Sequence, residues 1–529
     1  MKGYHALVLH AHLPFVRHPE YEQFLEEDWL YEAITETYLP LLDAFDRLVN
    51  DGVPLRLTMT MTPPLVAMLR DPLLMSRYAR EIDKLCELAA KEVQRTSKDA
   101  TFNGLARFYL RRFEKMRWLF HERYKGDLVA AFARLQDEGA LEIITCGATH
   151  GFLPLLRQQP ESVRAQLSVA TSEYERHFGR RPRGIWLPEC GFYPGLENAL
   201  AAEGLRFFFV DTHGVLDATP RPRYGAYAPV VTRTGVAAFA RDQSSSVQVW
   251  SSEVGFPGHP DYREFYRDIG FDLPHDYVRP YIQATGDRKN TGIKYFRVTG
   301  KVELPAKQPY DPEAASLRAV EHAREFARAR VQQIDTLAAQ LGRPPIVVSP
   351  YDAELYGHWW YEGPEFIEAY VREATRQQSY VLASPMDYLE QEPEQQLATP
   401  PMCSWGAGGY AGVWLDPVND WIYRHLHKAA ERMIALARDF PAPDALQRRA
   451  LNQAARELLL AQSSDWAFIL KTGTMMEYAV RRTKEHIGNF TRLESELRGK
   501  SLDAGHLAFL EDRHNLFPNI DYRVYAPVV

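Results

Sequence analysis

Cysteine is scarce in this 529-residue chain. The four thiols, Cys86, Cys146, Cys190 and Cys403, lie far apart and form no C-x-x-C pair. That argues against a disulfide framework or a zinc knuckle and fits a reducing compartment. Long hydrophobic runs are also missing, since no apolar stretch approaches the roughly 18–20 residues that span a bilayer. The first ten residues form a short apolar run broken by His5 and His10, without the core and cleavage site of a signal peptide. There is no excess of positive charge: the formal net charge is −7, so nothing favours nucleic acid or an anionic membrane as partner. No G-x-G-x-x-G follows the first strand-like run, which weakens an open dinucleotide-binding sheet. Internal repeats and low-complexity tracts are absent. The expectation is a cytoplasmic protein whose 46% hydrophobic content is enough for a large core and more than one domain.

What is present is an alternation of short apolar runs with helix-period segments. Seven runs read as buried parallel strands: 6–9, 55–59, 141–145, 184–187, 206–210, 247–250 and 346–349. Amphipathic segments such as 31–50 and 161–178 lie between them. Strand, helix, strand in this number predicts an incomplete (β/α)7 barrel, with a doubly wound open sheet as the competitor. Asp71-Pro72 opens a charged helical insertion over about 71–138, and 255–301 reads as a long loop region over one end of the barrel. Asp311-Pro312 starts a helix that Gly342 and Pro344 stop. The Pro, Glu and Gln residues of 391–396 read as a linker. Two units are therefore expected, 1–390 and 391–529, the second all-helical.

The residues at the ends of the predicted strands carry chemistry. In an α/β barrel these positions face the active site. They are His10 and His12, His150, Glu189, Asp211 and His213, Trp250, and Asp352. Glu189 and Asp352 each close a short apolar run and each sit beside aromatics, in Trp186-Leu187-Pro188-Glu189 and Asp352-Ala353-Glu354-Leu355-Tyr356. Desolvation gives such an acid reason to keep its proton, and two of them facing each other is the pattern of sugar-cleaving chemistry. The bland reading of either acid alone is a surface or salt-bridged carboxylate; the repeated context counts against it. His10 and His12 have a rival reading as ligands of a metal-dependent amidohydrolase or deacetylase, although the later strand ends offer Glu189 and Trp250 where further histidines would be expected. Trp405 and Trp414, set among glycines in 404–414, read as platforms for sugar rings. Asp465 has an adequate bland reading as a helix N-cap.

The motifs His10-Ala11-His12-Leu13-Pro14, Cys146-Gly147-Ala148-Thr149-His150-Gly151, Trp186-Leu187-Pro188-Glu189-Cys190, Ser349-Pro350-Tyr351-Asp352-Ala353-Glu354 and Gln462-Ser463-Ser464-Asp465-Trp466 resemble, in order and spacing, the signature regions of glycoside hydrolase family 57. Within it the layout looks most like the 1,4-α-glucan branching enzymes. The resemblance implies a retaining mechanism without metal or other cofactor, Glu189 as nucleophile and Asp352 as general acid/base. It implies an α-1,4-glucan such as amylose or glycogen as substrate. Contacts to that substrate would fall on Arg241, Gly258, Trp405, Asp465 and Thr474, with Trp250 and Trp414 facing the glucan and His10, His12 and His150 bonding to sugar hydroxyls. Tyr224 matches the tyrosine that branching members carry on a loop over the site. A family-57 α-amylase or 4-α-glucanotransferase is the alternative activity. Retention requires the two carboxyl groups to stand about 5–5.5 Å apart.

Overall fold

A computed structural model describes residues 2–251 and 254–527. Seven strands form the barrel: Gly3–Ala11, Leu57–Met61, Leu141–Ile144, Gly184–Ile185, Phe207–Val210, Ala237–Ala240 and Ile346–Asp352. Their pairings with one another are parallel, and the sixth also pairs antiparallel with Val230–Val231. The first strand lies between the second and the seventh, with Val8 beside Thr58 and His10 beside Asp352, and the second continues to the third. The fourth, fifth and sixth form the other arc. Two narrow seams join the arcs: a bridge between Thr145 and Ile185, and the Asp242 amide donating to the Val348 carbonyl at 2.8 Å. All nine residues of the first strand are buried, as expected where helices cover a parallel sheet on one side and the barrel fills it on the other.

The sixth strand differs from expectation. The run 247–250 is not a strand; it ends a helix, Gln243–Trp250, capped by the Asp242 carboxylate accepting from the Ser245 amide. The strand is Ala237–Ala240, three alanines and Phe239, whose ring packs against Phe207 and Phe209 of the fifth strand at 6.0 and 6.3 Å. A cap two residues after a short alanine strand outweighed the β propensity of the valines.

The helix after the first strand is interrupted. Asp28–Ala33 and Leu39–Asn50 flank a π-helical turn, Ile34–Tyr38, an irregularity often found at functional sites. It points Glu36 and Tyr38 at the loop that follows the seventh strand: Glu36 bonds His358 at 2.7 Å and the Tyr38 hydroxyl donates to Glu354. The insertion is a helical hairpin, Pro72–Arg95 and Ala100–Trp118, each arm capped by an aspartate, with Leu128–Asp137 returning to the third strand. The region 255–301 holds only short helical turns, and the buried Asp268 carboxylate ties it together by accepting from the amides of Gly270, Thr291 and Gly292. The segment 391–396 is not a bare linker. Gln396–Leu397 pairs with Val230–Val231, and Cys403 bridges to Phe192. Beyond it, Trp421–Asp439, Ala445–Ala461, Ser464–Thr472, Met476–Gly499 and Ala504–Arg513 form a helical unit. Among the described residues no helix is long and apolar enough to cross a membrane.

Candidate active site

A cavity of about 980 Å³ opens where the barrel strands end. Of the residues predicted from sequence, His10, His12, His150, Glu189, Arg241, Trp250, Gly258, Asp352, Trp405, Trp414 and Asp465 all line it. Two do not. Thr474 is exposed and bonds only to Thr472. Tyr224 lies under the Arg343 guanidinium, 4.7 Å from ring centre to charge.

Glu189 is held by its backbone. The turn Pro188–Cys190 places Glu189 at φ 60° and Cys190 at φ 51°, two successive non-glycine residues in the left-handed region. Each costs on the order of 1–3 kcal/mol and persists only where the surroundings impose it. The Glu189 carboxylate accepts from the Trp405 indole at 2.7 Å and from the Ser464 hydroxyl at 3.2 Å. Burial pushes this acid up to about 7, against the pull of those two donors. Asp352 ends the seventh strand, beside His10 of the first. Burial, and then the negative charges of Glu354 and Glu189, raise it well above the ordinary carboxylate range. The two acids are close enough to feel each other's charge, and their surroundings separate them. Two donors on its oxygens favour the ionised form of Glu189, whereas burial and the neighbouring Glu354 and Glu189 charges favour the protonated form of Asp352.

The histidines form a stack. His10 lies on Trp186 with centroids 4.7 Å apart, and His12 on His150 at 3.8 Å. A hydrogen bond of 3.1 Å joins His10 Nε2 to His150 Nε2, and His150 Nδ1 bonds Ser464 at 2.8 Å. Burial drives His10 and His150 well below the usual imidazole range, so both are neutral. His12 has the opposite fate: burial lowers it, but the charge and hydrogen bond of Asp465, 3.0 Å away, raise it overall. Burial raises Asp465, and His12 more than reverses that, holding it at about 2. His12, His150 and Asp465 offer three atoms near enough together for one ion, as do His10, Cys146 and His150. Their ring nitrogens are instead mostly engaged with one another, with Thr62, with Ser464 and with Asp465.

The N-cap reading of Asp465 is replaced: the Ser463 side chain is the cap, accepting from the Asp465 amide, and the Asp465 carboxylate reaches across to His12. Trp405 faces the cavity between Trp186 and Trp250, at 5.0 and 6.4 Å. Trp414 lines the cavity but is only 1% exposed and stacks on Phe152 at 4.9 Å, so packing occupies most of its surface. Sequence reasoning missed Ser464 and Glu354. Ser464 connects Glu189 to His150; Glu354, raised by burial, accepts from Tyr38 and from the His12 amide. Both stood in quoted motifs, but their partners lie on distant elements.

The family model described as Glycosyl hydrolase family 57 matches residues 6–401, and the one described as 1,4-alpha-glucan branching enzyme, C-terminal, matches 425–525. A 1,4-alpha-glucan branching enzyme of Thermococcus kodakarensis is 34% identical, over 98% of this chain and 78% of that protein. Among solved structures, an α-amylase, AmyC, of Thermotoga maritima is 47% identical, with a TM-score of 0.94 over 100% of both chains. A GH57-type branching enzyme of Pyrococcus horikoshii is 33% identical, with a TM-score of 0.90 over 100% of this chain and 98% of that one. Both acids fall inside the stretch that the first model matches, and the barrel superposes along its whole length on these relatives: this chain belongs to glycosyl hydrolase family 57.

Proposed function

We propose that the protein is a retaining 1,4-α-glucan branching enzyme that works by double displacement and belongs with the hexosyl-transferring enzymes. The observation that carries this is the placement of Glu189, held by the Trp405 indole and the Ser464 hydroxyl, and of Asp352, at the end of the seventh strand, in the wall of one ring-lined cavity. In the first step Asp352 gives its proton to the glycosidic oxygen as that bond breaks, and the Glu189 carboxylate attacks the anomeric carbon to form a β-linked glucosyl ester. Trp405 and Ser464 keep Glu189 aimed and favour its ionised form. In the second step Asp352, now a carboxylate, takes the proton of an incoming 6-hydroxyl. That oxygen attacks the anomeric carbon, Glu189 leaves, and an α-1,6 branch results. His10, His12 and His150 wall the reacting position as a stack, with His12 held by Asp465 and His150 by Ser464. In this reading the helical unit expected over 391–529 completes the cleft, since Ser464 and Asp465 come from it.

Water competes as acceptor, and transfer wins where bound glucan excludes it. A second reading, hydrolysis by an α-amylase, has one specific support: the Thermotoga maritima protein that is 47% identical is an α-amylase, AmyC. The packing of Tyr224 under Arg343, outside the cavity, also bears on this balance. Incubation with amylose decides. Branching lowers iodine staining and yields α-1,6 links that a debranching enzyme removes, with few new reducing ends. A steep rise in reducing ends without branches gives the amylase, and redistribution of α-1,4 chains alone gives the 4-α-glucanotransferase. Loss of activity on chelation, with metal in the purified protein, would bring back the amidohydrolase reading of His10 and His12.

A further inference from the structure

Trp359 and Tyr266 are large rings left in solvent at the cavity wall: 44% and 64% exposed. Neither exposure suits a packing role, and the neighbouring Trp360, only 1% exposed, shows what one looks like here. Phe265 holds the pair together, with its centroid 4.5 Å from Trp359 and Tyr266 6.3 Å from the same ring. The mounting is rigid. The buried Lys294 ammonium sits 4.6 Å over Phe265 and donates to its carbonyl. Glu36, on the π-helical turn, accepts from Arg263 at 3.0 Å and bonds His358 at 2.7 Å, tying the segment of Tyr266 to the segment of Trp359. The cavity thus has two aromatic groups. One, Trp250 and Trp405 with the buried Trp186 behind them, stands with Glu189 through the Trp405 hydrogen bond. The other is built on the loop that leaves Asp352.

We propose that Trp359 and Tyr266 form the platform for the acceptor glucan, an inference that rests on the reading of the cavity as a glucan-cleaving site. Asp352 protonates the oxygen of the departing chain and later deprotonates the incoming hydroxyl, so the chain in both roles lies on the side of the cleft walled by the Asp352 loop. Pyranose C–H faces stack on exposed rings, while His358, Glu264 and Lys307, which line the same wall, bond to hydroxyls. The platform would hold the departing chain first and the acceptor afterwards, and so govern transfer and the exclusion of water; a departing nitrophenol, which carries no sugar ring, would not need it.

The test compares Trp359→Ala and Trp359→Phe with wild type in two assays. Release of 4-nitrophenol from 4-nitrophenyl α-maltoheptaoside reads formation and hydrolysis of the glucosyl ester; α-1,6 links formed in amylose read transfer. The expected result is that Trp359→Ala loses transfer at least tenfold, at least five times more than it loses nitrophenol release, with more reducing ends per branch. Trp359→Phe keeps most of the transfer. Equal losses in both assays, or an unchanged number of reducing ends per branch, would overturn the proposal. Should the Trp359→Ala melting curve show a misfolded protein, Tyr266→Ala carries the same comparison. A wild type that neither releases nitrophenol nor branches amylose refutes the cleavage reading instead, a result distinct from any in the variants.

Discussion

Replacing Trp405 by Phe keeps a ring between Trp186 and Trp250 and deletes one hydrogen bond, that from the indole to Glu189 at 2.7 Å. A bond to a carboxylate in a buried site contributes about 1.5–3 kcal/mol, and one pKa unit corresponds to about 1.4 kcal/mol. The donor favours the charged form, so its loss raises the Glu189 pKa, by about 1–2 units on those figures. Starting from about 7, the carboxylate in the variant ionises near pH 8–9. At pH 7 the ionised share then falls from about half to about 1–10%, a loss of roughly 5–50-fold in kcat/KM. Activity returns as pH rises through that range. The assay is the pH profile of kcat/KM for nitrophenol release, whose acid limb reports the free enzyme. An acid limb at the wild-type pH, with activity lowered equally at every pH, would refute the reasoning: Trp405 would then be a sugar contact and would not tune the nucleophile.

Glu189→Gln removes the nucleophile but keeps the shape, so turnover of amylose should fall below about one part in 10⁴ with an unchanged melting temperature; substantial turnover refutes the assignment. Asp465→Asn separates the His12 pair. Asp465 lies below its unfolded value, so its stabilising contribution is complete above about pH 4 and disappears as pH falls toward 2. His12 lies above its unfolded value, so its contribution disappears as pH rises through that raised value. The stability difference between wild type and variant, measured by urea unfolding, should therefore peak between those limits and shrink on both sides. Gly357→Ala tests the Asp352 loop: at φ +118° an added Cβ would lie 1.9 Å from the Glu36 carbonyl oxygen, so a loss of more than about 3 kcal/mol in urea unfolding is expected. Glu457→Ala removes the acceptor of the Nδ1 atoms of His486 and His514, which bond that carboxylate at 2.7 and 2.6 Å in a fully buried site. A cost of about 3–5 kcal/mol is expected in the same assay.

The number of strands and the two acids were legible from sequence because buried parallel strands are continuous apolar runs and the chemistry sits at their ends. The sixth strand was not legible. Its four residues, Ala237 to Ala240, carry little β signal, whereas Val247 and Val249 carry much and lie in a helix fixed by the Asp242 cap. What a side chain does to a distant one was also hidden. Asp465 looked like a cap because local spacing allows it; that it grips His12, 453 positions away, depends on how the helical unit docks. The same holds for Ser464 on Glu189, and for Tyr38 and Glu36, which reach the Asp352 loop only because a π-helical turn rotates them toward it.

That docking has a consequence for when the protein becomes active during synthesis. The barrel's two acids are both made by residue 352, yet a hydroxyl donor of the nucleophile and the aspartate that charges His12 are supplied near residue 465. On the roles proposed for Glu189 and Asp352, a ribosome that has finished the barrel carries both carboxylates in an unfinished site, and cutting of a polymer awaits the last helices.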